Sequence, residues 1–266
     1  MFKDKVVAIT GAGSGIGRAL ARELAGQGAR LALSDVNQGA LAESISLLPS
    51  GTEARAYAVD VASREAVFQF SDDVKRDFGT AHFVVNNAGT SVIASVENLT
   101  IDEIERVLNI NLWGVIYGTK AFLPLLLGQR EGCIVNISSV FGLVAVPGQS
   151  AYAMTKFAVR GLTETLWQEL EGTGVRAVLV HPGGINTCIS SNALSARHEG
   201  DYERRLALAF NGQMTTSPDE CAQQIVAGLQ RGDKRLLVGN GASAIHWISR
   251  LFPSTYGALM RRKLGV

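Results

Sequence analysis

The stretch Lys5-Val6-Val7-Ala8-Ile9-Thr10-Gly11-Ala12-Gly13-Ser14-Gly15-Ile16-Gly17 decides the fold of this 266-residue chain. Its first half is a largely apolar, β-branched run, the pattern of a strand covered on both faces. The residues that follow, Arg18-Ala19-Leu20-Ala21-Arg22-Glu23-Leu24-Ala25, space their apolar side chains as an amphipathic helix does. Between them lies a glycine-rich turn. Alone, such a turn means only a tight connection from strand to helix. In the order strand, turn, helix it marks a dinucleotide site. Glycine allows the tight turn and a close approach of backbone amides to a pyrophosphate, whose charge then sits at a helix N-terminus. The glycines fall in the spacing TGxxxGxG.

Outward from this point, strands and helices alternate to the end of the chain. Periodicity predicts strands near 5–10, 30–35, 54–59, 82–86, 132–137, 175–181 and 235–238. It predicts helices near 15–27, 37–47, 63–78, 101–128, 149–172 and 218–231. Such alternation implies right-handed βαβ units and an α/β, doubly wound parallel sheet. His82-Phe83-Val84-Val85 and Val175-Arg176-Ala177-Val178-Leu179-Val180 are apolar along most of their length, as strands between two helical layers should be. The expected strand order is 3-2-1-4-5-6-7, with ligand bound at the C-terminal edge of the strands. No linker, low-complexity stretch or repeat divides the chain, so residues 1–266 read as one Rossmann-type catalytic domain.

The net charge of +1 offers no electrostatic case for a nucleic-acid or acidic partner. Met1-Phe2-Lys3-Asp4-Lys5 enters the first strand directly, so no secretory signal is expected. No apolar run approaches the ~20 residues of a membrane-spanning helix. Cys133, Cys188 and Cys221 are odd in number and scattered; they suggest reduced thiols in a cytoplasmic protein, and none is spaced for a metal.

The chemistry is written in Tyr152-Ala153-Met154-Thr155-Lys156, with Ser139 thirteen residues upstream. Residues four apart share a helix face, so the Tyr152 hydroxyl and the Lys156 ammonium lean toward one point. A free phenol titrates near ~10, and a neighbouring cation favours its ionised form. The pair therefore suits proton exchange with an alcohol/ketone couple. Ser139 would hold the substrate oxygen; Ser138 fits better as a strand-end hydroxyl satisfying backbone groups.

Together the two motifs resemble the short-chain dehydrogenase/reductase family in its single-domain branch, from about Lys5 to Val238. The resemblance includes Asn86-Asn87-Ala88-Gly89, Asn111 in Asn109-Ile110-Asn111-Leu112-Trp113-Gly114, Asn136-Ile137-Ser138-Ser139 and Pro182-Gly183-Gly184-Ile185-Asn186-Thr187, the last with Ile185 in place of the usual Val. It implies an oxidoreductase with Asn111, Ser139, Tyr152 and Lys156 as its catalytic group. Asn111 would hold a water that links Lys156 to solvent. Cofactor contacts would come from Gly11, Ser14, Gly15, Ile16 and Gly17, from Asp60 and Val61, and from Asn87, Ala88 and Gly89 under the adenosine ribose. Tyr152, Lys156, Pro182, Gly183, Ile185 and Thr187 would hold the nicotinamide end.

Asp35, at the end of the second strand, can accept from both ribose hydroxyls and would repel a 2′-phosphate. The positions where NADP-preferring relatives carry a base hold Ser14 and Val36. NAD is therefore the expected cofactor, with Arg18 leaving room for NADP. An NADPH-dependent ketoreductase of the 3-oxoacyl type and a silent NAD-sensing regulator are the alternatives. The retention of Asn111, Ser139, Tyr152 and Lys156 speaks against the regulator.

Substrate contacts are expected from Val140-Phe141-Gly142-Leu143-Val144-Ala145-Val146 and from a lid over about 188–213. In the lid Tyr202, Leu206, Leu208 and Phe210 recur at roughly helical spacing. Arg197, Arg204 and Arg205 are the cations within reach, and a hydrophobic secondary alcohol or ketone is the expected substrate. The extension over about 239–266 reads as a helix docked on its own domain or on a neighbouring subunit. Its cluster Arg261-Arg262-Lys263 makes a membrane-surface helix the less favoured alternative. The resemblance also implies a homotetramer or dimer built on the helices near 101–128 and 149–172.

Overall fold

Val7 and Ile9 point to one side of the first strand and Val6 and Ala8 to the other, and both sides are buried. That alternation, repeated in neighbouring strands, places the sheet between two helical layers. The computed structural model describes residues 1–187, 197, 198 and 200–264, the Lys263 side chain excepted. Its strands are β1 (Val6–Thr10), β2 (Arg30–Asp35), β3 (Ala54–Ala58), β4 (Phe83–Asn86), β5 (Gly132–Ile137), β6 (Val175–Pro182) and β7 (Arg235–Val238). They form one parallel sheet in the order β3-β2-β1-β4-β5-β6-β7, as expected.

Helix α1 (Gly15–Gly26) covers one face with Leu20 and Leu24, beside Ile225 and Leu229 of a later helix (Pro218–Arg231). The opposite face is covered by α3 (Arg64–Phe78) through Phe70 and Val74, by α5 (Gly114–Gln129) through Phe122 and Leu126, and by α6 (Ser150–Glu169) through Leu166. Helix α2 (Gln38–Ser46) follows β2.

The helix expected over 101–128 is not uniform. It is α4 (Ile101–Leu108), a π-turn (Asn109–Trp113) and then α5. A π-turn carries one residue more than an α-turn and commonly marks a functional position; here it contains Asn111. Ile101–Gln129 has the length and composition to cross a membrane, contrary to the expectation that no run does. In the fold its Val107, Val115, Phe122 and Leu126 are core. Its opposite side leaves Ile101, Trp113 and Leu127 exposed.

The chain leaves β1 toward β2 on one side, while β4 lies on the other. The crevice at this switch point is where such sheets bind ligands. A buried polar rail fixes the strands beside it: the Asn86 amide donates to Asn136 Oδ1 (2.8 Å), and the Asn136 amide donates to Thr163 Oγ1 of α6 (3.0 Å). After β6 come α7 (Asp201–Asn211) and α8 (Pro218–Arg231), the latter being the helix packed beside α1, and after β7 come α9 (Ala242–Leu251) and α10 (Tyr256–Leu264). In α7 the inward face is Tyr202, Leu206 and Phe210, spaced by four residues. Leu208 is 72% exposed and does not join it. Two residues turn a helix by about 200°, so Leu208 faces away from Leu206. The earlier part of the expected lid, with Cys188, lies outside the described residues.

Candidate active site

A cavity of about 550 Å³ runs along the switch-point crevice. Asp35, Val36, Asp60 and Val61 line one part of it, and Ser139, Tyr152 and Lys156 another.

The glycine turn is built for close backbone approach. Gly11 has φ +65°, and a Cβ there would lie 2.7 Å from Ala88 Cα. A Cβ on Gly17 would lie 2.2 Å from the Gly11 carbonyl oxygen, so only glycine lets α1 start this near the turn. Thr10 Oγ1 accepts from the Asn87 and Ala88 amides (3.0 and 3.1 Å), and Asn87 Nδ2 donates to the Thr10 and Gly11 carbonyls (2.9 and 3.1 Å). Asn87 thus clamps the loop after β4 to the glycine turn. Ser14 caps α1 by backbone alone, with no side-chain bond. Ser14, Gly15 and Ile16 line the cavity, so the first turn of α1 is left without a side-chain cap where a phosphate could sit.

Both Asp35 oxygens accept backbone amides, Oδ2 from Gly13 (2.9 Å) and Oδ1 from Asn37 (2.9 Å). Asn37 caps α2, accepting from Ala40 N (3.0 Å), which leaves Asp35 free of that role. Asp60 accepts from Ala62 N (2.9 Å), while Ser63 caps α3. Both carboxylates are therefore oriented by local backbone at the cavity wall. Arg18 turns away from it. Its guanidinium meets Glu43 (2.7 Å), Ser44 (2.9 Å) and the Gly13 carbonyl (2.5 Å), and it does not line the cavity.

Tyr152 and Lys156 stand on α6 as the four-residue spacing predicts. Tyr152 is 8% exposed, Lys156 3% and Ser139 7%. The Ser139 hydroxyl hydrogen-bonds the Tyr152 phenol. Lys156 Nζ lies 5.3 Å from the Tyr152 ring centroid and donates to the Ile137 carbonyl (2.9 Å). The electrostatics correct the sequence reading. Burial pushes the phenol up to about 12, opposed only by the Ser139 bond, and pushes the Lys156 amine down to about 8. Both groups sit away from water, where the charged forms are disfavoured. At neutral pH Tyr152 is a protonated phenol. Ser138 has the backbone role expected of it, donating to the Lys156 carbonyl (2.9 Å).

Three residues expected at the site stand behind it. Asn111 is fully buried; its Oδ1 accepts from Thr90 N (2.8 Å) and its Nδ2 donates to the Thr90 carbonyl (2.8 Å), which fixes the loop beside Lys156. Gly17 packs on Gly11. Gly183 donates to the Val238 carbonyl (2.9 Å) and packs on Val140, so Gly184 lines the cavity in its place. The remaining predicted contacts, Gly11, Ser14, Gly15, Ile16, Asn87, Ala88, Gly89, Pro182, Ile185 and Thr187, all line it.

At the Tyr152 end the walls are Ile93, Val140, Phe141, Phe210 and Met214, with Ser91 and Gln149 as polar points. Phe141 meets the Tyr152 ring edge-on (6.2 Å) and the Phe210 ring (5.8 Å). Arg197, Arg204 and Arg205 are exposed and do not line the cavity. Among the described residues the only charged groups that do are Asp35, Asp60 and Lys156.

Two residues of this region carry no signal in the sequence. Glu203, 2% exposed, accepts from Asn98 Nδ2 (2.9 Å), Ser95 N (3.2 Å) and Gly200 N (3.0 Å) through its two oxygens, which ties α7 to the loop after β4 and holds its carboxyl down at about 2. His181 is fully buried under Ser139, its Nδ1 2.7 Å from the Ser139 carbonyl oxygen. Burial lowers the imidazole to about 4, so the ring is neutral at physiological pH and Nδ1 carries the proton it donates. An unfolded histidine titrates near ~6.5. Between the two values the unfolded chain binds the extra proton, so wild type loses stability as pH falls through that window. His181→Phe should flatten this acid limb by roughly 3 kcal/mol relative to wild type. It should also lower kcat roughly tenfold through loss of the bond to Ser139. Urea unfolding at pH 4.5 and 7.5, with steady-state rates, reads both.

The comparisons agree with this geometry. A profile of the family described as short chain dehydrogenase matches residues 5–198. SadH of Mycobacterium tuberculosis, designated an oxidoreductase, is 46% identical over 97% of this chain and 95% of its own. Human estradiol 17-beta-dehydrogenase 11 is 29% identical over 98% of this chain and 84% of its own. A Burkholderia phymatum short chain dehydrogenase/reductase solved in complex with NAD superposes with a TM-score of 0.89, at 29% identity over 96% of each chain. An alcohol dehydrogenase of Thermococcus sibiricus complexed with 5-hydroxy-NADP superposes with 0.71, at 30% identity over 86% of this chain and 91% of its own. The strand order, the crevice and the profile coincide on the same residues because this chain belongs to the short chain dehydrogenase family.

Proposed function

We propose that the chain is an NAD-dependent dehydrogenase/reductase for a hydrophobic secondary alcohol or its ketone. The observation that carries the reading is the charge distribution of the cavity. Asp35 and Asp60 would face a ribose, the Tyr152–Ser139–Lys156 group would face a carbonyl, and beyond it the described walls are mostly apolar and hold no cation for an acidic substrate. The bare first turn of α1 and the glycine cradle fit a pyrophosphate between the two ends.

A nicotinamide held by Pro182, Ile185 and Thr187 would supply or take up the hydride when bound. The protein's part is positioning and proton transfer. Ser139 Oγ and Tyr152 Oη converge on the substrate oxygen. In the reducing direction the neutral phenol gives its proton to that oxygen and is left as phenolate; in the oxidising direction the phenol first gives up its proton to solvent, and the phenolate Oη then receives the alcohol proton. Lys156 lowers the free energy of the ionised phenol whenever it carries its own proton. Asn111, through Thr90, keeps the loop after β4 against Lys156. The names of relatives agree in class: one is a dehydrogenase of estradiol, another structural neighbour is levodione reductase.

The exposed side chains of Trp113, Met154 and Phe157 on the π-turn and α6 support a homo-oligomer assembled on that face. Initial rates of NADH and NADPH formation against secondary alcohols from short aliphatic to steroid-sized test the main reading. NAD should exceed NADP in kcat/KM by at least about tenfold, because Asp35 would confront a 2′-phosphate with like charge. Asp35→Ser should narrow that ratio. Turnover with NADP alone would refute the cofactor assignment, and silence with both cofactors across the panel would refute the activity.

A further inference from the structure

The extension, described over 239–264, has two unlike sides. Inward, Ala242 and Met260 are buried, Tyr256 Oη accepts from Ala145 N (3.1 Å), and Leu264 packs against the cluster of Ile93, Leu206 and Phe210 that walls the substrate end. Outward, Trp247 is 58% exposed, Leu251 66%, Phe252 56% and Leu259 48%. Trp247 and Leu251 are four residues apart on α9 and so share a face, and Phe252 follows at the turn into α10. Arg250, Arg261 and Arg262 are exposed beside them.

The charge of this segment is as one-sided as its burial. Residues 239–266 contain Arg250, Arg261, Arg262 and Lys263 and no Asp or Glu. The extension therefore carries +4 and the rest of the chain −3, which sum to the net +1. Large apolar side chains, one of them tryptophan, interspersed with cations and free of acids describe a surface for an anionic headgroup layer. Trp and Phe enter the acyl boundary, while arginine reaches phosphate with its charge and keeps its stem apolar. A second copy of this chain fits poorly: a two-fold contact would set Arg250, Arg261 and Arg262 against their own images, with no acid in the extension to answer them. Nor do the described residues of the chain's own body cover the face, which is exposed.

We propose that the outer face of α9 and α10 docks the protein on an anionic phospholipid bilayer, with Trp247, Leu251 and Phe252 in the headgroup boundary. The inner side of the same extension walls the substrate end, so docking sets that end beside a phase in which apolar alcohols dissolve. Only this last consequence rests on the function proposed above.

The test is co-sedimentation of the full chain with vesicles, without substrate or cofactor, so its failure would leave the catalytic reading standing. Vesicles of phosphatidylcholine with phosphatidylglycerol should carry the protein down at low salt. Phosphatidylcholine alone, or the variant R250Q/R261Q/R262Q, should bind on the order of a hundredfold more weakly. The variant W247S/L251S/F252S should bind at least about tenfold more weakly. All six side chains are exposed, and circular dichroism of each variant checks that the fold persists. Wild type remaining in the supernatant with anionic vesicles, or binding that ignores salt and both variants, would overturn the proposal. So would self-association of wild type that W247S/L251S/F252S abolishes while no vesicle is bound.

Discussion

Tyr152→Phe should lower kcat by about 10²- to 10⁴-fold, the range of a lost general acid–base, and leave the Kd for NAD within about twofold of wild type. The expectation rests on how little else the substitution removes. Phe keeps the ring, its edge contact with Phe141 and its place over Lys156. The change deletes one buried hydroxyl whose partner is Ser139. Loss of that bond costs about 1 kcal/mol of stability, a small fraction of an ordinary domain's total. Fold and cofactor binding should survive, and the lost rate then belongs to the proton. Single-turnover reduction of a ketone with NADH, beside equilibrium titration of NAD, separates the two effects. Ordinary turnover in the variant would mean that another group carries the proton and that the site has been assigned wrongly.

What could be read from the chain before its fold was known divides along physical lines. The sheet was legible because both of its faces are buried. Val6 to Ile9 and Phe83 to Val85 are apolar on both sides, and such runs have few other folds open to them. The glycine turn and the Tyr152–Lys156 pair were legible because they are local: each depends on spacing within one turn or one helix. The interruption of the helix at Asn109–Trp113 was not, since nothing in Asn-Ile-Asn-Leu-Trp forbids a regular α-turn. Tertiary contact selects the π-turn, and Asn111 reaches the Thr90 backbone through it. His181 and Glu203 were invisible for the same reason: their partners lie 42 and up to 108 residues away in sequence. The state of the catalytic pair was misread because spacing reports which groups meet and says nothing about how dry the meeting place is. Dryness raised the phenol and lowered the amine, against the simple expectation of a cation beside a base.

That dryness has a second measurable consequence, in Lys156→Met. The amine titrates near about 8 in the folded, cofactor-free chain because burial opposes its charge. In the unfolded chain a lysine titrates near ~10.4. Between these values the unfolded state holds the proton and the folded state does not, so folding releases it and the folded state gains stability as pH rises. Below about 8 both states are charged and wild type bears the full burden of the buried ammonium. The stability of wild type minus that of Lys156→Met should therefore increase from pH 8 to pH 10.5 by roughly 3 kcal/mol, because each pH unit between the two titration points contributes about 1.4 kcal/mol. The raised phenol of Tyr152 bears on the high end of this window in both proteins and cancels in the difference. Opposing terms also bear on the absolute sign at neutral pH. Methionine removes the buried charge but leaves the Ile137 carbonyl without its donor, at about 1–3 kcal/mol. The slope is free of that contest, because an unpaired carbonyl does not titrate. Catalysis should fall by at least about 10²-fold in the same variant, since the ionised phenol loses its nearby cation. Urea unfolding of both proteins across the window, without cofactor, measures the slope. Parallel pH curves would show that the amine is solvated in the folded chain, and the account of a dry catalytic pair would fail with it.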